Sequence, residues 1–377
     1  MKILHIINTL DTAGAERLVV DMAVSMRRAG HEIGVLSVSS RETPFMQQLR
    51  DAGIKVATLG CHERNPLAVF RLRPYLRGYD VIHVHLFPAQ YWVAAARALF
   101  GSEAVFVTTE HNTYNIRCRF RLTTWTDRLA YRRYDAITCI SPAVLAFMQE
   151  RTQRRVPLRL IQNGVDTARF SSASGNRAAL LPHVPQDAFV LMQVARFQPQ
   201  KDQDCLIRAL PLLPDDVHAV FVGGGEREAA CRRLASELGV SGRTHFLGIR
   251  SDVPELLSVA DVVIMSSHWE GFGLSAVEGM AAGKPVLASD VEGLAQVVGD
   301  ERLLFIPGDA SDLSKKVLSL RGNSGYLSER AAYCARRAED FSIGRMVDCF
   351  LELYRETIDA SGRSSRVATV PNGNSDT

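Results

Sequence analysis

The chain has 377 residues, of which 46% are hydrophobic and 23% charged. This length suits two domains rather than one, and the composition excludes disordered and fibrous proteins. The net charge of +3 combines a basic part with an acidic one, because residues 1–165 contain 22 Lys and Arg against 13 Asp and Glu, and the remainder contains 22 against 28. The basic part predicts an anionic partner or surface.

Cysteine usage and hydropathy indicate the compartment. The seven cysteines are scattered and include no Cys-x-x-Cys pair, which favours a reducing compartment over a disulfide framework or a zinc site. The opening apolar run, Ile3 to Ile7, is shorter than a signal-peptide core, and Tyr91 to Phe100 is too short for a transmembrane helix. We expect a cytoplasmic protein, or one at the inner face of the cytoplasmic membrane.

In chain order, short apolar β-rich runs alternate with helical patterns, which predicts parallel sheets covered by helices. In the first half the expected strands are KILHII, EIGVLSV, KVATLG, VIHVH, VFVTTEH, AITCIS and LRLIQ. In the second half they are FVLMQVAR, HAVFVGG, THFLG, DVVIMSS, PVLASD and LLFIP. We predict an α/β fold of two Rossmann-like doubly wound domains that face each other across a cleft.

The expected domain boundaries lie at turn-type sequence. Residues 1–165 form the N-terminal domain and residues 166–342 the C-terminal one. Residues 343–360 form a helix that crosses back to the N-terminal domain, and residues 361–377 have little to bury and are expected to be disordered. Since ligands of open parallel sheets bind at the carboxyl ends of the strands, the motifs at those ends are the candidates for function.

The most specific motif follows the expected strand DVVIMSS and runs from Glu270 through Gly271-Phe272-Gly273-Leu274 to Glu278. The glycines allow close approach of the backbone to a ligand, and a carboxylate can accept two hydroxyl hydrogen bonds from a ribose or a sugar. The motif therefore fits a sugar nucleotide. The alternative is a turn cap at Glu270 and a solvated helix face at Glu278.

A second motif places Arg196 and Lys201 between a strand end and a helix start. A guanidinium and an ammonium there suit a diphosphate and would stabilise the charge that develops as it leaves, whereas a solvated basic loop is the alternative. Asp202-Gln-Asp204 matches the Asp-x-Asp of metal sites, but it opens a helix, where acidic residues favour the dipole. We expect no metal and no cofactor.

Over nearly its whole length, the chain resembles the retaining glycosyltransferases of family four, which have the two-domain GT-B fold. The resemblance rests on Gly14-Ala-Glu-Arg17, Ser141-Pro142, Asn163-Gly-Val-Asp166, the Arg196/Lys201 pair, Gly223-Gly224-Gly225-Glu226 and the Glu270 to Glu278 motif. One departure is Glu292-Gly293-Leu-Ala-Gln296, where members often have Gly-Gly-x-x-Glu. Gln296 therefore takes the position at which members usually have the glutamate. Its amide can still form hydrogen bonds.

The resemblance implies a role for each matching residue. Arg196 and Lys201 would hold the donor diphosphate, Glu278 the ribose hydroxyls, and Glu270 with the backbone of Gly271 to Leu274 the transferred sugar. It also implies transfer with retention of configuration and without metal, by front-face attack in which the leaving phosphate helps to deprotonate the acceptor.

The resemblance also implies roles for three further residues. Gly14 would close over the phosphates, Gly224 would line the donor site, and His111, at a strand end where the family often has a histidine, would face the transferred sugar. The alternative for His111 is pairing with a neighbouring loop. His83 and His85 alternate on VIHVH and share one sheet face, in a structural or an acceptor-side role. We expect no metal there, because a third ligand nearby in sequence is missing.

A basic and aromatic segment follows His111, with Asp127 as its single acid. Its members of interest are Arg117, Arg119, Arg121, Trp125, Arg132 and Arg133. Such a mixture suits a membrane interface, so we hypothesise that the N-terminal domain rests on anionic lipid; a solvated helix face is the alternative.

We expect a nucleotide-diphosphate sugar, by default a UDP-sugar, as donor and a saccharide or lipid-linked acceptor in bacterial surface polysaccharide assembly. A sugar-nucleotide epimerase of similar fold and a catalytically inactive sugar-nucleotide binder are alternatives. A nicotinamide dehydrogenase is disfavoured because no Gly-x-Gly-x-x-Gly follows the first strand. We expect no nucleic acid partner, which would leave the second-domain motifs without a role, and the oligomeric state stays open.

Overall fold

The computed structural model describes residues 1–11, 14–111 and 121–362, except for the side chains of 121–124. The chain forms two compact units, each with its own sheet. The first comprises Met1–Ile161 and the chain from Met346 onward, and the second comprises Gln162–Arg345. The predicted tail lies outside the described residues from 363 onward.

The first unit contains a seven-stranded parallel sheet in the order β3-β2-β1-β4-β5-β6-β7. Its strands are β1 Lys2–Ile7, β2 Glu32–Ser37, β3 Lys55–Thr58, β4 Val81–His85, β5 Val105–Glu110, β6 Ala136–Cys139 and β7 Leu158–Leu160. Its helices are α1 Gly14–Arg28, α2 Pro44–Asp51, α3 Ala68–Arg71, α4 Ala89–Phe100, α5 Arg121–Tyr131 and α6 Pro142–Thr152. All seven strands predicted in this half are confirmed.

The second unit contains a six-stranded parallel sheet in the order β10-β9-β8-β11-β12-β13. Its strands are β8 Phe189–Val194, β9 Val217–Val222, β10 Thr244–Phe246, β11 Val262–Met265, β12 Val286–Ser289 and β13 Leu304–Phe305. Its helices are α7 Thr167–Ser171, α8 Arg177–Leu180, α9 Gln203–Ala209, α10 Glu228–Glu237, α11 Val253–Ser258, α12 Leu274–Ala281, α13 Glu292–Val298, α14 Ala310–Arg321 and α15 Ser324–Ala338. The six predicted strands are confirmed.

The last helix, α16 Ile343–Ala360, belongs to the first unit from Met346 onward. It packs on that unit's sheet through Phe350 and Tyr354, both buried, whose rings lie 5.0 and 5.8 Å from the ring of His83 on β4. None of the helices in the described residues combines the length and the hydropathy that crossing a membrane requires.

Strand order fixes where each sheet can bind a ligand. The central strands are buried along their whole length, as expected for parallel strands covered on both faces. In the second unit, β8 has β9 as its neighbour on one side and β11 on the other. The chain therefore continues from β8 to one side of the sheet and later returns to the opposite side of β8. The crevice at the carboxyl ends of β8 and β11 is therefore the topological switch point, where ligands of open α/β sheets bind. The equivalent point in the first unit lies between β1 and β4.

Candidate functional site

Both predicted motifs of the second unit lie at its switch point. Arg196 and Lys201 follow β8, and Glu270 follows β11, its hydrogen-bonded neighbour. A short turn, Pro199–Lys201, links β8 to α9, and Asp202 ends it with a φ of 43°. The sheet topology thus brings together two segments that are about 70 residues apart in the sequence.

The turn after β8 is held by polar side chains from the two central strands. Gln193 Nε2, at 2% residue exposure, donates to Lys201 O at 2.9 Å and to Ser266 Oγ at 3.0 Å. Ser266 Oγ donates in turn to Asp202 O at 2.8 Å. Because these groups are buried and paired, they fix the backbone that carries Lys201.

The Lys201 ammonium pairs with the Glu270 carboxylate, with 2.7 Å between Nζ and Oε2. Gln200 Nε2 donates to Trp269 O at 2.7 Å and lies 3.4 Å from Glu270 Oε2, which ties the two segments together. The side chains of Lys201 and Glu270 are 18% and 14% exposed. They are therefore accessible to a ligand and only partly screened by water.

Close backbone packing requires glycine in the turn between Glu270 and α12. Gly273 has a φ of 96°, and a Cβ there would lie 2.5 Å from Leu294 Cδ2. On the facing helix α13, a Cβ at Gly293 would lie 2.3 Å from Glu270 O. The backbone of this turn ends at the start of α12, which no side chain of the described residues caps, and the first amide groups of a helix can bind an anionic ligand.

A second glycine loop follows β9 and packs against the segment that carries Arg196. A Cβ at Gly223 would lie 2.1 Å from Ala195 O, and one at Gly225 would lie 2.5 Å from Phe197 O. Phe197 N donates to Gly224 O at 3.0 Å. The loop therefore lies against Arg196, and Ile249, at 80% exposure, lies next to Gly224.

The other predicted residues of the second unit take different positions. Arg196 is exposed, and Glu278 lies half-buried in the second turn of α12. Phe272 is only 4% exposed and packs edge-on against Phe341, so it can offer a ligand its backbone but not its ring. Leu274 begins α12 and is half-buried.

The Asp-x-Asp sequence has structural partners. Asp204 accepts from Arg227 Nη2 at 2.6 Å and from Cys231 Sγ at 3.4 Å. Asp202 Oδ2 lies 3.6 Å from His268 Nε2, and burial raises the pKa of Asp202. Asp204 is thus paired with Arg227 and Cys231 beside α10, and Asp202 makes no side-chain cap of α9.

In the first unit, His111 follows β5 and is buried at 9% exposure. Burial lowers its pKa to about 4, so it is neutral at physiological pH. Its Nε2 has no hydrogen-bond partner among the described residues, and its ring centroid lies 6.4 Å from that of His85. Gly14 is exposed at the start of α1, and the two residues before it lie outside the described part of the chain.

The basic and aromatic segment is only partly described. Arg117 and Arg119 lie outside the described residues, and Arg121 begins α5 without a described side chain. Trp125 is 65% and Leu129 47% exposed, and Arg132 and Arg133 are exposed just beyond the helix.

The opposite side of α5 faces the protein. Asp127, 4% exposed, accepts from Arg151 Nε at 2.7 Å, and Tyr131 donates to Glu110 at 2.6 Å. Trp125 and Leu129 are one helical turn apart on α5, and with the exposed Arg132 just after the helix they form one outward stripe.

Sequence reasoning missed several residues that shape the site. Gln193, Gln200, Ser266 and Trp269 have no motif of their own, and only the contact between neighbouring strands shows their role. Gly293 appeared as a departure from a family pattern, but its lack of a side chain is what allows α13 to approach Glu270. The only sequence signal was the position of these residues at or next to strand ends.

Comparisons with known proteins agree with this architecture. The profile described as "Glycosyl transferases group 1" matches residues 182–341, and the one described as "Glycosyltransferase Family 4" matches residues 12–169. The lipopolysaccharide core biosynthesis glycosyltransferase LpsE of Rhizobium meliloti is 32% identical over 240 residues, which cover 62% of this chain and 68% of that protein.

Two further proteins are similar to this chain, one in sequence and one in structure. The D-inositol 3-phosphate glycosyltransferase of Salinispora tropica is 34% identical over 223 residues, 53% of this chain and 46% of that protein, so the chain spans about half the length of this relative. Anabaena Alr3699/HepE, solved in complex with UDP, superposes with a TM-score of 0.80 at 23% identity, covering 94% of this chain and 100% of the other. The same protein has also been solved with UDP-glucose.

Proposed function

The chain belongs to glycosyltransferase family 4, and from this premise we propose that it transfers a sugar from a nucleotide-diphosphate carrier to a saccharide or lipid-linked acceptor. A UDP-sugar is the proposed donor, since UDP and UDP-glucose are the ligands named for HepE. LpsE acts in lipopolysaccharide core biosynthesis, which supports a role for this chain in bacterial surface polysaccharide assembly.

The observation that carries the proposal is the Lys201–Glu270 ion pair at the switch point of the second sheet. It places an ammonium, a carboxylate and a glycine turn at the crevice where α/β sheets bind nucleotides. Arg196 lies on the same segment as Lys201, five residues before it. A diphosphate that enters this crevice meets two cations and the amide groups that begin α12.

The chemistry follows from these charges. As the bond from the sugar to the diphosphate breaks, negative charge grows on the leaving phosphate, and Arg196 and Lys201 stabilise it. Glu270 Oε2 orients the Lys201 ammonium, and its other oxygen accepts a hydroxyl of the transferred sugar. Glu278 accepts the ribose hydroxyls. In this proposal the acceptor attacks from the side of the leaving group, so configuration is retained, and the two cations take the role that a metal ion has elsewhere.

Three further residues are assigned by the family resemblance. Gly224 lines it beside Ile249, which offers an exposed apolar surface to the base. The role that the resemblance gives to Gly14, in the first unit, is to bind the donor phosphates. His111 offers a neutral imidazole to a hydroxyl of the transferred sugar, because burial keeps it unprotonated.

For the acceptor, we propose that the stripe of Trp125, Leu129 and Arg132 with Arg133 rests on anionic lipid. An exposed tryptophan and leucine bury apolar surface in the headgroup region, while the arginines pair with lipid phosphates. The anchoring of α5 by Asp127 and Tyr131 keeps the stripe turned outward. This arrangement suits an acceptor carried on a lipid.

The function is tested by incubating candidate sugar nucleotides with membrane or oligosaccharide acceptors and analysing both products. A transferase releases nucleoside diphosphate in proportion to the sugar gained by the acceptor. An epimerase would convert the sugar without any acceptor while the nucleotide stays attached, and an inactive binder would leave the donor unchanged. Either of these results would contradict the proposal.

A further inference from the structure

Three histidines that the donor site does not use meet in the first unit. His5 lies on β1 and His83 on β4, and the two are directly paired in the sheet register. His85 lies two residues after His83 and therefore on the same face. All three are buried, at 0%, 0% and 2% exposure, in the layer between the sheet and α16.

The sequence hides this cluster because 78 residues separate His5 from His83. No third ligand lies near His83 and His85 in the sequence, but the register of β1 against β4 brings His5 beside them. One ring nitrogen of each histidine lies within 4.8 Å of a ring nitrogen of the other two. We propose that His5, His83 and His85 form a structural binding site for a divalent transition-metal ion of the zinc class.

The spacing of two of the three histidines suits this ligand. His5 Nδ1 and His85 Nε2 lie 3.2 Å apart. Bonds of about 2.0–2.1 Å from zinc to nitrogen separate two tetrahedral nitrogen ligands by about 3.3 Å, so the spacing is that of two ligands on one ion. Imidazole is a preferred ligand of zinc and its neighbours, whereas magnesium and calcium prefer oxygen.

The protonation states also suit a metal. Burial lowers the pKa of His5 to about 3 and the pKa values of His83 and His85 well below their ordinary value, so all three rings are neutral and carry a lone pair. His5 Nε2 and His85 Nδ1 have no hydrogen-bond partner among the described residues. The nitrogens that face each other, His5 Nδ1 and His85 Nε2, are hydrogen-bonded to one another, and an ion between them would take the place of that single contact.

His83 already has the outer contact typical of a metal-bound histidine. Its Nδ1 lies 2.6 Å from Tyr354 Oη, and its Nε2 lies 2.7 Å from Thr109 Oγ1. A hydrogen bond at one ring nitrogen fixes the tautomer and directs the other nitrogen at the ion. The Tyr354 contact serves this purpose. An ion at Nε2 would replace the Thr109 contact, and the Thr109 hydroxyl would keep its partner Thr138 Oγ1, which is 2.7 Å away. A bound ion would thereby connect β1, β4 and the helix that carries Tyr354.

The test measures metal content of the full, untagged chain. Wild-type protein is equilibrated with Zn²⁺, passed over a weak chelating resin, and analysed by mass spectrometry for zinc. We expect about one ion per chain, and little in His5→Gln, His83→Gln or His85→Gln, because two imidazoles bind weakly. His218→Gln is the matched control: His218 and His245 meet at 2.9 Å in the second unit, where the described residues form no group of three metal ligands, so this variant should keep its zinc.

Two measurements keep the test decisive if a variant folds poorly. Co²⁺ added to the wild type should give the visible absorption bands of nitrogen coordination, and Zn²⁺ should raise the wild-type Tm while Mg²⁺ should not. Wild-type protein without zinc, without cobalt bands and without a Tm shift would overturn the proposal. So would folded histidine variants that retain the wild-type zinc content. Sugar transfer is not the readout, so the result is independent of the proposed activity.

Discussion

Lys201 Nζ lies 2.7 Å from Glu270 Oε2, and this contact joins two segments that are 69 residues apart. It forms because β8 and β11 are neighbours in the second sheet and their carboxyl ends open at the same crevice. Two carboxylates in the Glu270 to Glu278 motif first suggest acid and base catalysis. The ion pair indicates a different role for Glu270, which is to orient the Lys201 ammonium.

Removing the Lys201 ammonium should slow sugar transfer strongly. Lys201→Ala removes a charge that acts mainly on the leaving diphosphate, so we expect kcat to fall about 10²–10³-fold. Steady-state kinetics with a saturating donor measures the effect. Arg232→Ala breaks an exposed ion pair with Glu228 on α10 and should leave kcat unchanged. Equal effects of the two substitutions would contradict the assigned role.

The two oxygens of Glu270 predict a graded response. Glu270→Gln keeps a hydrogen-bonding group of the same shape but loses the charge that orients Lys201, whereas Glu270→Ala loses both. We expect transfer to decrease in the order wild type, Gln, Ala, with a larger change in kcat than in KM. A Gln variant as slow as the Ala variant would show that charge alone matters.

Gly293 should be intolerant of a methyl group. A Cβ there would lie 2.3 Å from Glu270 O and would push the turn away from its place. A displacement of about 1 Å can cost about 10²-fold in rate, so we expect Gly293→Ala to lose most of its transfer activity while it remains folded. Gly344→Ala, where nothing lies within 4 Å, is the control that should behave as wild type. Circular dichroism and transfer assays separate local displacement from unfolding.

The outward stripe of α5 should bind anionic lipid. We expect wild-type protein to sediment with vesicles that contain phosphatidylglycerol, and the double variants Trp125→Ser/Leu129→Ser and Arg132→Ser/Arg133→Ser to sediment less. Added salt should weaken the arginine contribution. Arg208 and Leu212 in the second unit are also exposed, and their replacement by Ser should change nothing. If the α5 variants bound the vesicles as well as the wild type, the proposal that this stripe contacts anionic lipid would be contradicted.

The histidine pair of the second unit predicts an acid-sensitive fold. Burial, followed by the charges of His218 and His183, lowers the pKa of His245 from 6.5 to about 4. Burial and Arg243 also lower the pKa of His218. Between these values the unfolded chain binds more protons than the folded one, so stability is complete above about pH 6.5 and decreases as the pH falls toward 4.

Urea unfolding as a function of pH measures this effect. The urea midpoint of the wild type should fall between about pH 6.5 and 4, and His245→Gln should show a smaller fall over the same window. Other buried histidines also have lowered pKa values and destabilise the fold as the pH falls. The quantity to compare is therefore the difference in urea midpoint between the wild type and His245→Gln. Identical pH profiles would contradict the assignment.

Periodicity and turn chemistry were sufficient to predict the fold. All thirteen strands lie within a few residues of their expected positions, because each is a short β-rich run between breakers. The family resemblance is confirmed by the matching profiles. The Ser141-Pro142 motif has a local cause, since Ser141 Oγ accepts from Val144 N and caps α6.

The sequence did not show which residues of neighbouring strands contact one another. The pairing of His5 with His83 depends on the register of β1 against β4, and both strands are continuous apolar runs whose pattern does not show which residues lie opposite one another. The same holds for Gln193 and Ser266, which fix the turn of Lys201 from two different strands. Motifs therefore located the site, and only the sheet topology showed how its residues support one another.

Donor binding tests the central claim most directly. A UDP-sugar at 100 times its dissociation constant should stabilise wild-type protein by about 2.7 kcal/mol, measured as a rise in Tm. We predict that this shift is lost in Arg196→Ala, Lys201→Ala and Glu278→Ala and kept in Arg232→Ala. A full shift in all four variants would contradict the account, because the donor would then bind somewhere other than the crevice between β8 and β11.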